Sequence, residues 1–139
     1  LPAIDSLINH LHETDEAKLA LVTGNFKANA YLKLDTYNLS DYFPVGAFGC
    51  DYADRNLLPK LAIDRANQYW DSSFTNKNAV VIGDSPNDII CAKANGILSV
   101  AVATGFHSID ELMEYKPDLM FESFKDYETN LSKIYARLK

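Results

Sequence analysis

The stretch AVVIGDSPNDII, residues 79–90, runs apolar up to a glycine and then sets Asp84 and Asp88 around a Ser-Pro-Asn turn. A continuous apolar run without polar alternation is the pattern of a strand covered on both faces, as in a parallel sheet flanked by helices. Ser85 then holds the place of a helix N-cap and Pro86 that of the first helical residue. Asp88 falls third, where an acid suits the positive end of the helix dipole. Local structure accounts for Asp88 on those terms. It does not account for Asp84, which ends the strand where open α/β sheets bind their ligands. Two carboxylates converging there repel unless a cation lies between them. Oxygen-only ligation suits Mg2+, which takes one or two protein carboxylates and leaves other positions to water and substrate phosphate.

The same grammar recurs outward from this stretch. KLALV (18–22) is an apolar run closed by TGN, and Phe26, Ala30, Leu34 and Tyr37 then mark one side of a helix. VGAFG (45–49) is a weak strand. LLPKLAIDRANQYW (57–70) reads as a helix with Leu58, Ala62, Arg65 or Ala66, and Tyr69 in register. Strand NAVVIGD (78–84), helix 86–96, strand ILSVAVA (97–103), helix SIDELMEY (108–115), strand DLMF (118–121) and a helix over 124–138 complete the series. Ahead of it all, Ile4, Leu7, Ile8 and Leu11 share one helical face. Ser108-x-x-Glu111 is a capping box and is assigned no catalytic role. Regular alternation of buried strands and helices predicts an α/β, doubly wound parallel sheet with helices on both faces, and a single domain over 1–139.

Bulk properties narrow the function. The chain has 139 residues, enough for one core, and a formal net charge of -6 from 13 basic and 19 acidic residues. No Lys/Arg cluster is present, so neither nucleic acid nor an anionic membrane is an expected partner. No apolar run approaches the roughly 20 residues of a membrane helix. Cys50 and Cys91 lack disulfide-framework or zinc spacing, and the opening LPAIDSLINHLHE lacks a basic leader followed by a long apolar region. A soluble, cytoplasmic protein is expected.

Two further features fall beside the aspartates in this scheme. In LVTGN (21–25), Thr23 supplies a hydroxyl, Gly24 permits close backbone approach, and the amides entering the next helix can face an anion. Taken by itself the segment is better explained by Asn25 as the N-cap of the next helix and Thr23 as a turn closer. Parallel strands, however, open TGN and GDSPND on the same rim. In DYADRNLLPK, Arg55, or Lys60 a turn later, could hold phosphate oxygens there.

The order strand-TGN, basic loop residue before a helix, then hydrophobic strand-GDSPND resembles motifs two, three and four of the haloacid dehalogenase superfamily, particularly its phosphoglycolate-phosphatase-like hydrolases. VAVATGFHSIDELMEYKPDLMFESFKDY resembles the last strands and helix of that core. The resemblance implies that Thr23, with Gly24 and Asn25, binds the transferring phosphoryl group, and that Asp84 and Asp88 hold Mg2+. The motif-three base falls to Arg55 or Lys60, with Arg55 preferred because Lys60 would lie inside the helix; the usual Lys-Pro pair is absent.

The family's first motif, Asp-x-Asp at the end of the first core strand, has no counterpart ahead of KLALV. The resemblance therefore implies a Rossmann-like core lacking its first strand and cap, with a vacancy between KLALV and AVVIG that an N-terminal segment of the same polypeptide would fill. The function so implied is a Mg2+-dependent phosphatase of small phosphorylated metabolites acting through an aspartyl-phosphate. The alternatives are a non-catalytic α/β binding module, or another activity of the superfamily such as phosphoglucomutase or phosphonatase.

Overall fold

The computed structural model describes residues 4–15, 17–36, 38–103 and 106–138. Its helices are α1 (Ile4–Thr14), α2 (Lys27–Thr36), α3 (Leu58–Trp70), α4 (Pro86–Ala94), α5 (Ile109–Met113) and α6 (Tyr127–Arg137). Between them run the strands β1 (Ala20–Val22), β2 (Val45–Ala47), β3 (Val80–Gly83), β4 (Leu98–Val102) and β5 (Leu119–Phe121). The expected alternation holds, and the paired strands are parallel: Leu21 lies opposite Gly46, Ile82 opposite Val100, and Ala101 opposite Met120. The expected Ile4 side chain and Tyr37 lie outside what is described.

Strand β4 shows why helices cover both faces. Side chains alternate along a strand, so Val100 and Val102 enter a core with Leu7 and Leu11 of α1, Leu131 and Ile134 of α6, and Phe124. Ala101, pointing the other way, packs with Ile89 of α4 and Leu112 of α5. Burial of each large apolar side chain contributes about 1.5–3 kcal/mol, and this double core is what holds the four helices to the sheet. A smaller core joins Ala47 of β2 to Leu58 and Ala62 of α3.

Among the described residues the strands form two sheets, β1-β2 and β3-β4-β5, and no ladder joins β1 to β3. Each of these two strands therefore has one edge without a strand partner, the arrangement expected around a vacant central position.

Three sequence expectations need correction. Phe26 is 62% exposed, and among the described residues of the stripe assigned to α2 only Ala30 is fully buried. The helix is instead held through Tyr31, whose hydroxyl donates to Phe43 O at 2.6 Å and whose ring lies 5.7 Å from that of Phe48. Tyr69, placed on the inner side of α3, is 60% exposed and stacks edge-on against Trp70 at 5.1 Å. Helix α6 also starts later than residue 124, because the Asp126 side chain accepts from the Thr129 amide and sets the helix start there.

Candidate active site

Thr23 follows β1 directly, and its amide donates to Ala47 O at 3.2 Å, carrying the ladder one residue on. Its Oγ1 accepts from the Asn25 amide at 3.1 Å, closing a tight turn at Gly24. Asn25 is not the helix cap: the carbonyl of Phe26 takes the first helical bond, from the Ala30 amide at 3.0 Å. The Asn25 carbonyl accepts instead from the Gly49 amide at 2.9 Å. Gly49 is required at that approach, since a Cβ there would overlap the Gly24 carbonyl.

The loop that supports TGN is itself pinned. Arg65 of α3 donates Nη1 to Asp51 Oδ2 and Nη2 to Asp51 Oδ1, both at 2.8 Å, and Nη1 also reaches Gly46 O at 2.8 Å. Asp51 Oδ2 in turn accepts from the Phe48 amide at 2.9 Å. The Arg65 guanidinium holds the Asp51 carboxyl below its usual range. Sequence reading assigned these two residues no role. The available signal was a charged residue on the inward stripe of α3, which demands a partner.

Asp54 accepts from the Asn56 amide at 2.9 Å and starts the 3-10 turn Arg55–Leu57 ahead of α3. From this turn Arg55 Nη2 donates to Asp88 Oδ1 at 2.9 Å. Nη1 stands 3.7 Å from where a Gly24 side chain would begin, and Nε is buried with no acceptor among the described residues. Asp88 Oδ2 accepts from both the amide (3.2 Å) and the hydroxyl (2.9 Å) of Ser85, and the Asp88 amide donates to Ser85 O at 3.1 Å, so Asp88 caps the start of α4 from the third helical position. The carboxylate folds back over Gly83, where any Cβ would overlap it.

Asp84 follows Gly83 and is half-buried, with no side-chain hydrogen bond or ion pair among the described residues. Lys60 is turned away: its side chain is 75% exposed and pairs with Asp64 one turn along α3 at 3.3 Å. The structure thus brings Gly24, Arg55 and Asp88 together, with Thr23 and Asp84 adjoining Gly24 and Gly83 in the chain, and leaves Lys60 on the solvent face. His12 lies edge-on to Tyr42, and His107 stands beside Glu111 at 3.0 Å. Among the described residues no helix is long and apolar enough to cross a membrane.

A doubly wound sheet with a Thr-Gly turn, an arginine-bearing turn and a Gly-Asp-Ser-Pro helix start on one rim defines a class, and the chain belongs to it: the HAD-hydrolase-like family, whose profile matches residues 58–127. More particularly, it is 27% identical over 125 residues to the phosphoglycolate phosphatase of Salmonella paratyphi A, covering 90% of this chain and 48% of that protein. To the phosphoglycolate phosphatase of Neisseria meningitidis it is 32% identical over 116 residues, covering 81% and 48%. The chain therefore spans about half the length of these relatives. Its fold is shared with an HAD phosphatase from Thermococcus onnurineus (TM-score 0.74, 24% identity, 94% of this chain and 57% of that one). It is shared equally with a haloacid dehalogenase-like hydrolase from Streptococcus pneumoniae (TM-score 0.76, 20% identity, 94% and 59%).

Proposed function

We propose that this chain is the phosphate- and metal-binding part of a Mg2+-dependent phosphomonoester hydrolase acting on a small phosphorylated metabolite such as phosphoglycolate. The observation that carries the reading is the placement of Arg55. Its guanidinium lies between the Gly24 turn and Asp88, with the buried Nε still lacking an acceptor. A buried unpaired donor is costly, and a phosphate oxygen would satisfy it.

The donor set fits a hard cation. Asp84 has no side-chain hydrogen bond or ion pair among the described residues, and Asp88 follows it at the start of α4, although its oxygens already serve Arg55 and Ser85. No group of three or more His, Cys, Asp or Glu side chains gathers for an ion among the described residues. Mg2+ needs only one or two carboxylates when water and phosphate complete its shell. When bound, the ion would offset charge on the transferring phosphoryl group. Thr23, with the Gly24 backbone and the Asn25 side-chain amide, would hold the equatorial oxygens from one side, and Arg55 from the other. Positioning and preorganised charge account for most of the catalysis in such transfers.

The nucleophile in this reading is an aspartate on an upstream segment of the same polypeptide, which forms an aspartyl-phosphate. The open edges of β1 and β3 support a parallel strand added between them, because ladder groups inside a covered sheet are rarely left unpaired. Cys50 and Cys91, both free thiols, suit a reducing cytoplasm.

The test is Asp84→Asn in the whole polypeptide, with phosphoglycolate hydrolysis followed against Mg2+ concentration. Metal-dependent turnover should fall by on the order of 100-fold or more. An unchanged rate would overturn the assignment.

A further inference from the structure

Resting on that reading of Arg55 as a phosphate ligand, we infer that Asn95 is the positioning residue that sets where the Arg55 guanidinium stands. Asn95 follows α4, and its side-chain amide uses both of its N–H groups. One goes to Cys91 O at 2.7 Å, and the other to Asn56 O at 2.8 Å, 39 residues back in the chain.

The first bond is ordinary capping, since Cys91 O is among the carbonyls a helix leaves orphaned at its end. The second has no part in ending the helix. It ties α4 to the backbone of the turn that carries Arg55. Helix α4 thus grips this turn at two points: Asp88 at its start takes the guanidinium, and Asn95 at its end takes the backbone.

The second grip is needed because the first is single. Asp88 is the sole acceptor bonded to the guanidinium among the described residues, through Nη2 alone. A planar group held at one corner can pivot about it. The direction in which Nε and Nη1 point is then decided by where the backbone at residues 55 and 56 lies. Asp54 orders the turn internally through the Asn56 amide, but it does not place the turn against α4. Asn95 does, and Asn76 Nδ2 donates to the Asn95 carbonyl at 3.3 Å.

The experiment is calorimetric titration of the whole polypeptide with inorganic phosphate at saturating Mg2+, comparing wild type, Arg55→Ala, Asn95→Asp, Asn95→Gln, Asn95→Gly and the Arg55→Ala/Asn95→Asp pair. Asn95→Asp keeps the shape and removes both donors. Asn95→Gly keeps a backbone able to end the helix and removes the tether, and it serves should the aspartate variant not fold. Phosphate affinity is expected to fall roughly five- to tenfold in Asn95→Asp and Asn95→Gly, about 1–1.4 kcal/mol, and to recover in part in Asn95→Gln. Mg2+ affinity measured without phosphate stays at the wild-type value, because Asp84 is untouched. The double variant binds phosphate no more weakly than Arg55→Ala, since Asn95 acts only through that side chain.

Wild-type phosphate affinity in folded Asn95→Asp or Asn95→Gly overturns the inference, and so does full additivity with Arg55→Ala. Undiminished phosphate binding by Arg55→Ala overturns the proposed role of Arg55 itself, and the inference with it. A loss confined to thermal stability, with affinity unchanged, reduces Asn95 to a cap.

Discussion

Arg55 Nη2 and Asp88 Oδ1 lie 2.9 Å apart, and this bond joins the turn before α3 to the start of the helix after β3. Both side chains are largely withdrawn from water, at 32% and 16% exposure. Asp88 serves two structures at once, the cap of α4 and the anchor of Arg55. Asp88→Asn puts an amide group against either the Ser85 donors or the guanidinium, so it should destabilise the protein by about 1–3 kcal/mol. Urea unfolding monitored through Trp70 measures it. A midpoint equal to wild type would show the bond to be incidental.

Gly83 and Gly49 are required by close approach and not by backbone angle. Gly83→Ala drives a methyl into the Asp88 carboxylate, and Gly49→Ala drives one into the Gly24 carbonyl. Each should cost about 1–3 kcal/mol by overpacking and remove most phosphatase activity of the whole polypeptide, because the displaced groups belong to the site. Steady-state assays on folded, monodisperse variants check this, and full activity in both would contradict the packing.

The Asp51–Arg65 pair gives a pH signature. Asp51 titrates below its usual range when folded, chiefly because Arg65 donates to it, so the unfolded chain takes up a proton at higher pH than the folded one. Its contribution is complete above the unfolded value of about 3.9 and is lost as pH falls through the lower folded value. The stability gap between wild type and Asp51→Asn should be constant from pH 7 to about 5 and close under stronger acid. Thermal unfolding across that range measures it.

The two thiols should behave differently toward an alkylating reagent. Cys50 is exposed, whereas Cys91 is buried, and burial pushes its thiol above the ordinary value. Mass spectrometry after brief iodoacetamide treatment at neutral pH should find one adduct, on Cys50, and a second only in denaturant. Rapid native labelling of Cys91 would show that α4 opens readily.

Hydrogen exchange tests the strand proposed to enter between the sheets. The Thr23 amide points to β2, where it meets Ala47 O, so by alternation the Val22 amide points to the unpaired edge. It should exchange quickly in residues 1–139 alone and be protected in the whole polypeptide. Equal exchange in both would leave that edge open.

Much of this protein was determined locally and was therefore legible in the sequence. An apolar run bounded by Gly-Asp-Ser-Pro specifies a buried strand, a cap and a helix start through contacts only a few residues apart, and the helix start at Ser85 and the capping box at Ser108 formed as their spacing required. The bond of Arg55 to Asp88, the pairing of Asp51 with Arg65, and the reach of Asn95 to Asn56 were decided by the tertiary structure alone. Those bonds span from 14 to 39 residues, and a side chain's long-range partner depends on how helices lie across the sheet, which no local pattern encodes. The same reason explains the open stripe of α2: periodicity shows that one side of a helix is apolar, while only packing decides whether anything covers it.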